Sequence, residues 1–220
     1  MSTFNPQEGY LLIDRLILTI QQNKQYLSDI DGAIGDGDHG INMNKGFTIC
    51  REALDSDPGP ENLVDALNVL SKTLMMKIGG AMGPLYGSFF KAIAKSIEGK
   101  EQIGRDDFVE AISSAVSAVQ VYSNAKPGDK TMMDVLIPAK DAFSAAVTDD
   151  LPFGESLNKM SEAARKGRDS TENMTAKIGR ASRLGERSRG VIDAGAASSC
   201  LILETLANGI KELIQKDKEG

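Results

Sequence analysis

The 220-residue sequence has a single histidine, His39, and only two cysteines, Cys50 and Cys200. So few ligands exclude a zinc site of the usual Cys/His kind, and two isolated thiols cannot form a disulfide framework, so both are expected to be buried. An excess of positive charge is also missing. With 25 Lys and Arg against 31 Asp and Glu, the net charge of −6 argues against nucleic acid or an anionic membrane surface as partners, since both reward a basic face. No apolar run approaches the length of a transmembrane helix, and the polar start MSTFNPQEG is unlike a signal peptide. A cytoplasmic protein without membrane contact is the expectation. Absent too are sustained period-two alternation, which marks half-buried strands, and the GxxxxGK[ST] phosphate loop. Any phosphate chemistry must use another device.

What is present is a chain that is 41% hydrophobic, enough for one sizeable core, and we expect one domain over residues 1–220. Apolar residues recur at helical spacing: Leu12, Leu16 and Ile20; Phe108, Ile112, Val116 and Val119; Ile202, Leu206, Ile210 and Leu213. The expected fold class is all-α, a bundle of about eight antiparallel helices. Breakers place them near 7–27, 42–54, 61–76, 84–98, 106–125, 132–147, 155–172 and 195–216.

The links after the second, fourth and sixth helices, DSDPGP at 55–60, GKEQIG at 99–104 and DDLPFG at 149–154, are ordinary polar turns. Those after the first, third, fifth and seventh are not. They are the acidic stretch DIDGAIGDGDHGINMN at 29–44, KIGGAMGPLYG at 77–87, KPGDKTMMD at 126–134 and the long segment 173–194. In an up-and-down bundle all odd connections lie at one end, so these four signals are expected to meet in one site.

Each loop has a chemistry. Asp31, Asp36 and Asp38 lie among Gly32, Gly35, Gly37 and Gly40, which suits a hard cation that takes oxygen ligands. Neither an EF-hand register nor a dinucleotide fingerprint fits: Phe47 or Gly40 stands where the EF-hand needs Glu, and bare carboxylates would repel a pyrophosphate. Gly79, Gly80 and Gly83 permit close backbone approach, and Pro84 suits the start of a helix whose N–H groups could hold phosphate. Thr131 is placed to cap the sixth helix with Asp134 in its first turn, leaving Lys130 unexplained. The fourth loop gathers Lys177, Arg180, Arg183, Arg187 and Arg189 within thirteen residues and reads as a mobile, cationic lid. Asp193 and Gly195 then lead into the small residues AASS. Taken singly, an exposed acidic turn, a glycine-rich helix turn, a capped turn, a solvated charge run and small-residue packing remain the plainer alternatives. Together the loops offer carboxylates, helix N-termini, a lysine and arginines, with no nucleophile paired to a base, which is the inventory of phosphoryl transfer.

Four motifs carry a resemblance to a known family. DxxIGDGDHGxNMNxGF at 31–47, GGAxGPLYGxFF at 79–90, PGDKTMxD at 127–134 and GRASxLGERSxGxxDxGAxS at 179–198 resemble the L-subunit family (DhaL, or DAK2) of bacterial dihydroxyacetone kinases over almost the whole chain. The resemblance implies a barrel of eight antiparallel helices with nucleotide bound at one end. It implies that Asp31, Asp36 and Asp38 coordinate two Mg2+ ions bridging the phosphates of ADP or ATP, with these three and Arg180 as the catalytic groups. His39, Gly40, Ile41, Asn42, Ala81, Met82, Met132, Arg180, Asp193, Ala194 and Gly195 would contact the nucleotide. The chain departs from the family at Met82, commonly serine, at Arg183, commonly aromatic, and at Ala194, commonly proline.

The implied partners are a K-type subunit carrying dihydroxyacetone on a histidine, and a phosphohistidine carrier of the phosphotransferase system that recharges bound ADP. Other family members use exchangeable ATP, and a related short ketose such as erythrulose is the alternative acceptor. A transcriptional regulator and a second copy of the chain are further partners left open. Two other classes compete: a nucleotide-sensing regulatory module and a simple metal-binding helical protein.

Overall fold

Leu12, Ile13, Leu16, Ile17 and Ile20 are buried along one face of the first helix, and the same periodicity shapes the rest of the chain. A computed structural model describes residues 2–56 and 59–219, with the side chains of 217–219 not described. The helices are α1 (Tyr10–Gln22), α2 (Lys24–Ile34), α3 (His39–Leu54), α4 (Leu63–Lys77), α5 (Met82–Ile97), α6 (Arg105–Tyr122), α7 (Met133–Thr148), α8 (Phe153–Ser170) and α9 (Ala194–Glu219). Among the described residues there is no strand, only an isolated bridge in which Phe4 and Ile103 exchange backbone hydrogen bonds of 2.9 and 3.1 Å. None of these helices is long and apolar enough to cross a membrane.

Neighbours in sequence are neighbours in space. α3 packs on α4, α4 on α5, and so on to α9, which returns to α1, while α1 also touches α3. Eight helices thus close a ring around one apolar core, as short connections between amphipathic helices favour. α2 follows α1 after Asn23 and packs on the same two helices that flank α1, namely α3 and α9. The expected helical stripes are all buried, from Leu12 to Leu213, and so are the thiols of Cys50 and Cys200, both pushed up to about 12 by burial. At the end formed by the ordinary links, Phe108, Phe143 and Phe153 meet at ring separations of 5.3 to 6.1 Å, with Phe4 at 6.5 Å from Phe153.

The structure corrects several boundaries. The helix expected over 7–27 breaks at Asn23, and its second half runs on to Ile34, so Asp29 and Asp31 are helical rather than looped. Leu27 and Ile34, seven residues apart on one face, are both buried. Packing of that face overrides the weak helix propensity of Gly32. α3 starts at His39 instead of 42 and α5 at Met82 instead of 84, which makes Pro84 its third residue. In the long connection, residues Arg180–Ser188 form 3₁₀ helix kinked at Gly185, so it is structured along much of its length. The DSDPGP turn falls partly outside the described residues, which omit Asp57 and Pro58.

Candidate functional site

A cavity of about 800 Å³ opens at the end of the ring where the four unusual connections meet. Its wall takes residues from all four: 31–42, 79–86, 122–132 and 178–195. The α3, α5, α7 and α9 helices each begin at this wall, so four N-termini converge on one volume. Their partial positive charges favour an anion there. Ala81, the residue preceding α5, makes no side-chain cap, which leaves the first N–H groups of that helix available. Those of α7 are taken: Met133 N–H donates to Thr131 Oγ1 at 3.1 Å, Asp134 N–H to Thr131 O at 3.1 Å and Val135 N–H to Met132 O at 3.1 Å.

Three carboxylates face those N-termini. Asp31, in the last turn of α2, accepts a hydrogen bond from the His39 backbone N–H at 3.2 Å, which ties the end of α2 to the start of α3. Asp36 and Asp38 stand on the short turn between them. One oxygen from each of Asp31, Asp36 and Asp38 can be chosen so that all lie within 4.8 Å of one another. An all-oxygen, triply anionic cluster of this spacing fits a hard divalent cation. Arg180, from the long connection, pairs with Asp36 and lies 3.6 Å from Asp38.

Behind the wall, Ser198 is a buried hub. Its hydroxyl donates to Ala194 O at 2.9 Å and lies 2.6 Å from the Tyr86 hydroxyl and 2.9 Å from His39 Nε2. Gly195 O is a second acceptor within reach of the hub, 3.2 Å from the Ser198 hydroxyl and 3.4 Å from that of Tyr86. Burial lowers the His39 pKa, opposed by Asp31 and Asp38, and pushes Tyr86 up to about 12. Ser198 and His39 are therefore a structural pair: the serine is fully buried and lies outside the cavity lining.

Asp193 caps α9 by accepting from the Ala196 N–H at 2.8 Å, and burial pushes its carboxyl up to about 6. Asp134 folds the α6–α7 connection by accepting from Gly128 N at 2.5 Å and Thr131 N at 2.8 Å. Lys130, offered by the sequence as a cation for the site, instead turns its ammonium onto backbone carbonyls.

Of the expected site residues, Asp31, Asp36, Asp38, His39, Asn42, Ala81, Met82, Met132, Arg180, Asp193, Ala194 and Gly195 line the cavity together. Gly40 and Ile41 do not. A side chain at Gly40 would stand 2.0 Å from Lys24 O and 2.6 Å from Ser28 Oγ, so this glycine lets α3 press against α2. Ile41 is 52% exposed on the outer side of α3. Arg183, one of the departures from the family pattern, is exposed and outside the lining. Sequence reasoning missed Tyr122, Ser123 and Asn124 at the end of α6, which line the wall, and the Tyr86–Ser198 contact. The only signal for the latter was the small-residue run AASS opposite an LYG segment, and two partners 112 residues apart leave no local trace.

Comparison with known proteins gives a consistent picture. The model of the DAK2 domain matches residues 33–208. The chain is 36% identical over 208 residues to the ADP-binding subunit DhaL of a PEP-dependent dihydroxyacetone kinase from Listeria innocua, covering 94% of this chain and 95% of that one. It is 41% identical over 188 residues to the ADP-binding subunit DhaL of the PTS-dependent dihydroxyacetone kinase of Lactococcus lactis, covering 85% and 88%. The crystal structure of the dihydroxyacetone kinase from C. freundii in complex with AMP-PNP and Mg2+ superposes with a TM-score of 0.68 at 24% identity. That match covers 90% of this chain but 33% of the longer kinase, and shows a shared fold.

Proposed function

This chain belongs to the DAK2 domain family, and we propose that it is the nucleotide-binding, phosphoryl-transferring subunit of a multisubunit dihydroxyacetone kinase, working as one domain over residues 1–220. The observation that carries this is the meeting of three carboxylates, an arginine and four helix N-termini at one cavity. Supporting it, relatives 36% and 41% identical over nearly their full length are ADP-binding subunits of kinases for dihydroxyacetone.

Asp31, Asp36 and Asp38 would hold two Mg2+ ions, which when bound neutralise the phosphate oxygens of ADP or ATP and let an acidic turn accept a polyphosphate. The chain's own residues do the rest by position and charge. The free N–H groups at the start of α5 bind phosphate oxygens, and Arg180 meets the charge that develops on the transferred group. Met82, Met132, Ala194 and Gly195 give the nucleotide an apolar or backbone-lined wall. Because the relatives are subunits of multisubunit kinases for dihydroxyacetone, we assign the acceptor, dihydroxyacetone, to a separate K-type subunit docked at the mouth. ADP serves as a retained coenzyme, recharged in place by a phosphohistidine carrier of the phosphotransferase system.

Asp36→Asn tests the assignment of the carboxylates. Phosphoryl transfer with a K-type partner should fall by ~10²-fold or more, and Mg2+-dependent nucleotide binding should weaken with it. Undiminished binding and transfer would overturn the assignment. Native mass spectrometry of freshly purified protein tests the coenzyme role: ADP that survives purification supports it, and an empty protein that takes up ATP reversibly replaces it with exchangeable donor.

A further inference from the structure

Lys130 is a charged residue for which the phosphoryl-transfer chemistry has no use. Its side chain is 1% exposed, and its backbone has φ of 62°, a left-handed conformation that a non-glycine residue keeps only when its surroundings hold it there. The ammonium donates to Val191 O at 2.6 Å, to Thr171 O at 2.7 Å and to Met174 O at 3.2 Å. An ammonium has three donors and no acceptor, so none remains for a phosphate even though the residue borders the cavity.

Those carbonyls belong to both ends of the connection between α8 and α9. Thr171 and Met174 stand where the chain leaves α8, and Val191 where it returns. Two further bonds close the same neck: Gly190 N–H donates to Glu172 O at 2.8 Å, and Asp193 N–H to Thr171 Oγ1 at 3.0 Å. Between the ends, residues 174–190 form a loop of the compact, closed-neck kind. Arg180 sits within it and Asp193 directly follows it. A second tie comes from the same α6–α7 connection, where Asp129 O accepts from Lys177 N–H at 3.2 Å and the two side chains pair at 3.5 Å.

We infer that Lys130 is a positioning residue: its buried ammonium pins the two ends of the 171–193 connection to the α6–α7 connection and thereby sets where Arg180 and Asp193 stand at the cavity. No neutral side chain offers three donors from one atom, and three buried carbonyls left without them would favour opening of the neck. The consequence for nucleotide binding rests on the function proposed above, whereas the pinning itself does not.

Amide hydrogen exchange of the full-length protein tests the pin. In the wild type, the amides of Met174, Gly190 and Asp193 should share one opening rate, because one group holds both ends. In Lys130→Met they should exchange ~10- to 100-fold faster together while amides of α1, α4 and α5 keep their wild-type protection. Lys130→Arg, which restores a cation with several donors, should recover part of the loss. Unchanged protection at the neck of Lys130→Met would overturn the inference. Should that variant fail to fold, the wild-type rates decide: a shared rate supports the pin, and separate rates at the two ends overturn it. Mg-ADP affinity should fall about tenfold in Lys130→Met, in step with neck opening. A wild-type protein that binds no Mg-ADP would sink the proposed function and leave the exchange result standing.

Discussion

Asp193 shows how much one residue's surroundings decide. Its carboxyl is raised to about 6 by burial, with the Ala196 N–H and Lys130 pulling it down and the charges of Asp134 and Asp31 raising it further. Between its ordinary value of 3.8 and about 6 the folded protein holds the proton that the unfolded chain has lost. Its contribution to stability is therefore fully present below pH 3.8 and lost as pH rises through 6. Asp193→Asn keeps an oxygen to cap α9 and removes the charge. Relative to wild type, the variant should gain stability as pH rises from about 4 to 7, by up to about 2 kcal/mol. Urea denaturation at a series of pH values measures this, and a difference that does not vary with pH would refute it. At the same scale, the sequence identified Asp31, Asp36 and Asp38 as a cluster because they are close along the chain. It had no access to the Ser198 hub, whose members come from α3, α5 and α9.

Among the elements, α2 is the instructive case. Glycines and aspartates around Asp31 suggested a free loop, yet the segment is helical to Ile34 because Leu27 and Ile34 are buried against neighbouring helices. The turn that carries Asp36 and Asp38 is consequently short, and its geometry depends on how closely α3 approaches α2. Gly40 permits that approach, with Lys24 O only 2.0 Å from where a side chain would begin. Gly40→Ala should force the helices apart, lowering stability by about 1–3 kcal/mol or more. The denaturation midpoint should fall with an unchanged slope, and Mg2+-dependent nucleotide affinity should fall with it. A variant with normal affinity would show that the carboxylates do not depend on this packing.

Across the whole molecule, the two ends of the ring have separate tasks. One end carries the cavity; the other is closed by Phe4, Phe108, Phe143 and Phe153, with Phe4 held by its bridge to Ile103. Phe153→Ala removes the ring shared by three of those contacts and should cost about 3–5 kcal/mol. Calorimetry should show the lost stability, while nucleotide affinity measured well below the melting temperature stays within a few-fold of wild type. A large loss of affinity would mean that the ends are coupled through the core.

Helical periodicity and the Asp/Gly cluster were legible in the linear chain because each depends on residues within a few turns of one another, and the odd-numbered placement of four unusual connections because it depends only on the order of the helices. Alternate helix reversal alone was enough to bring those connections to one end. Only the tertiary structure decided that the helix after Asn23 runs on to Ile34, that Gly40 is a packing residue, and that Lys130 faces carbonyls. Those outcomes depend on which backbone atoms from distant segments surround each side chain, and burial against them outweighs the local preferences that a sequence displays.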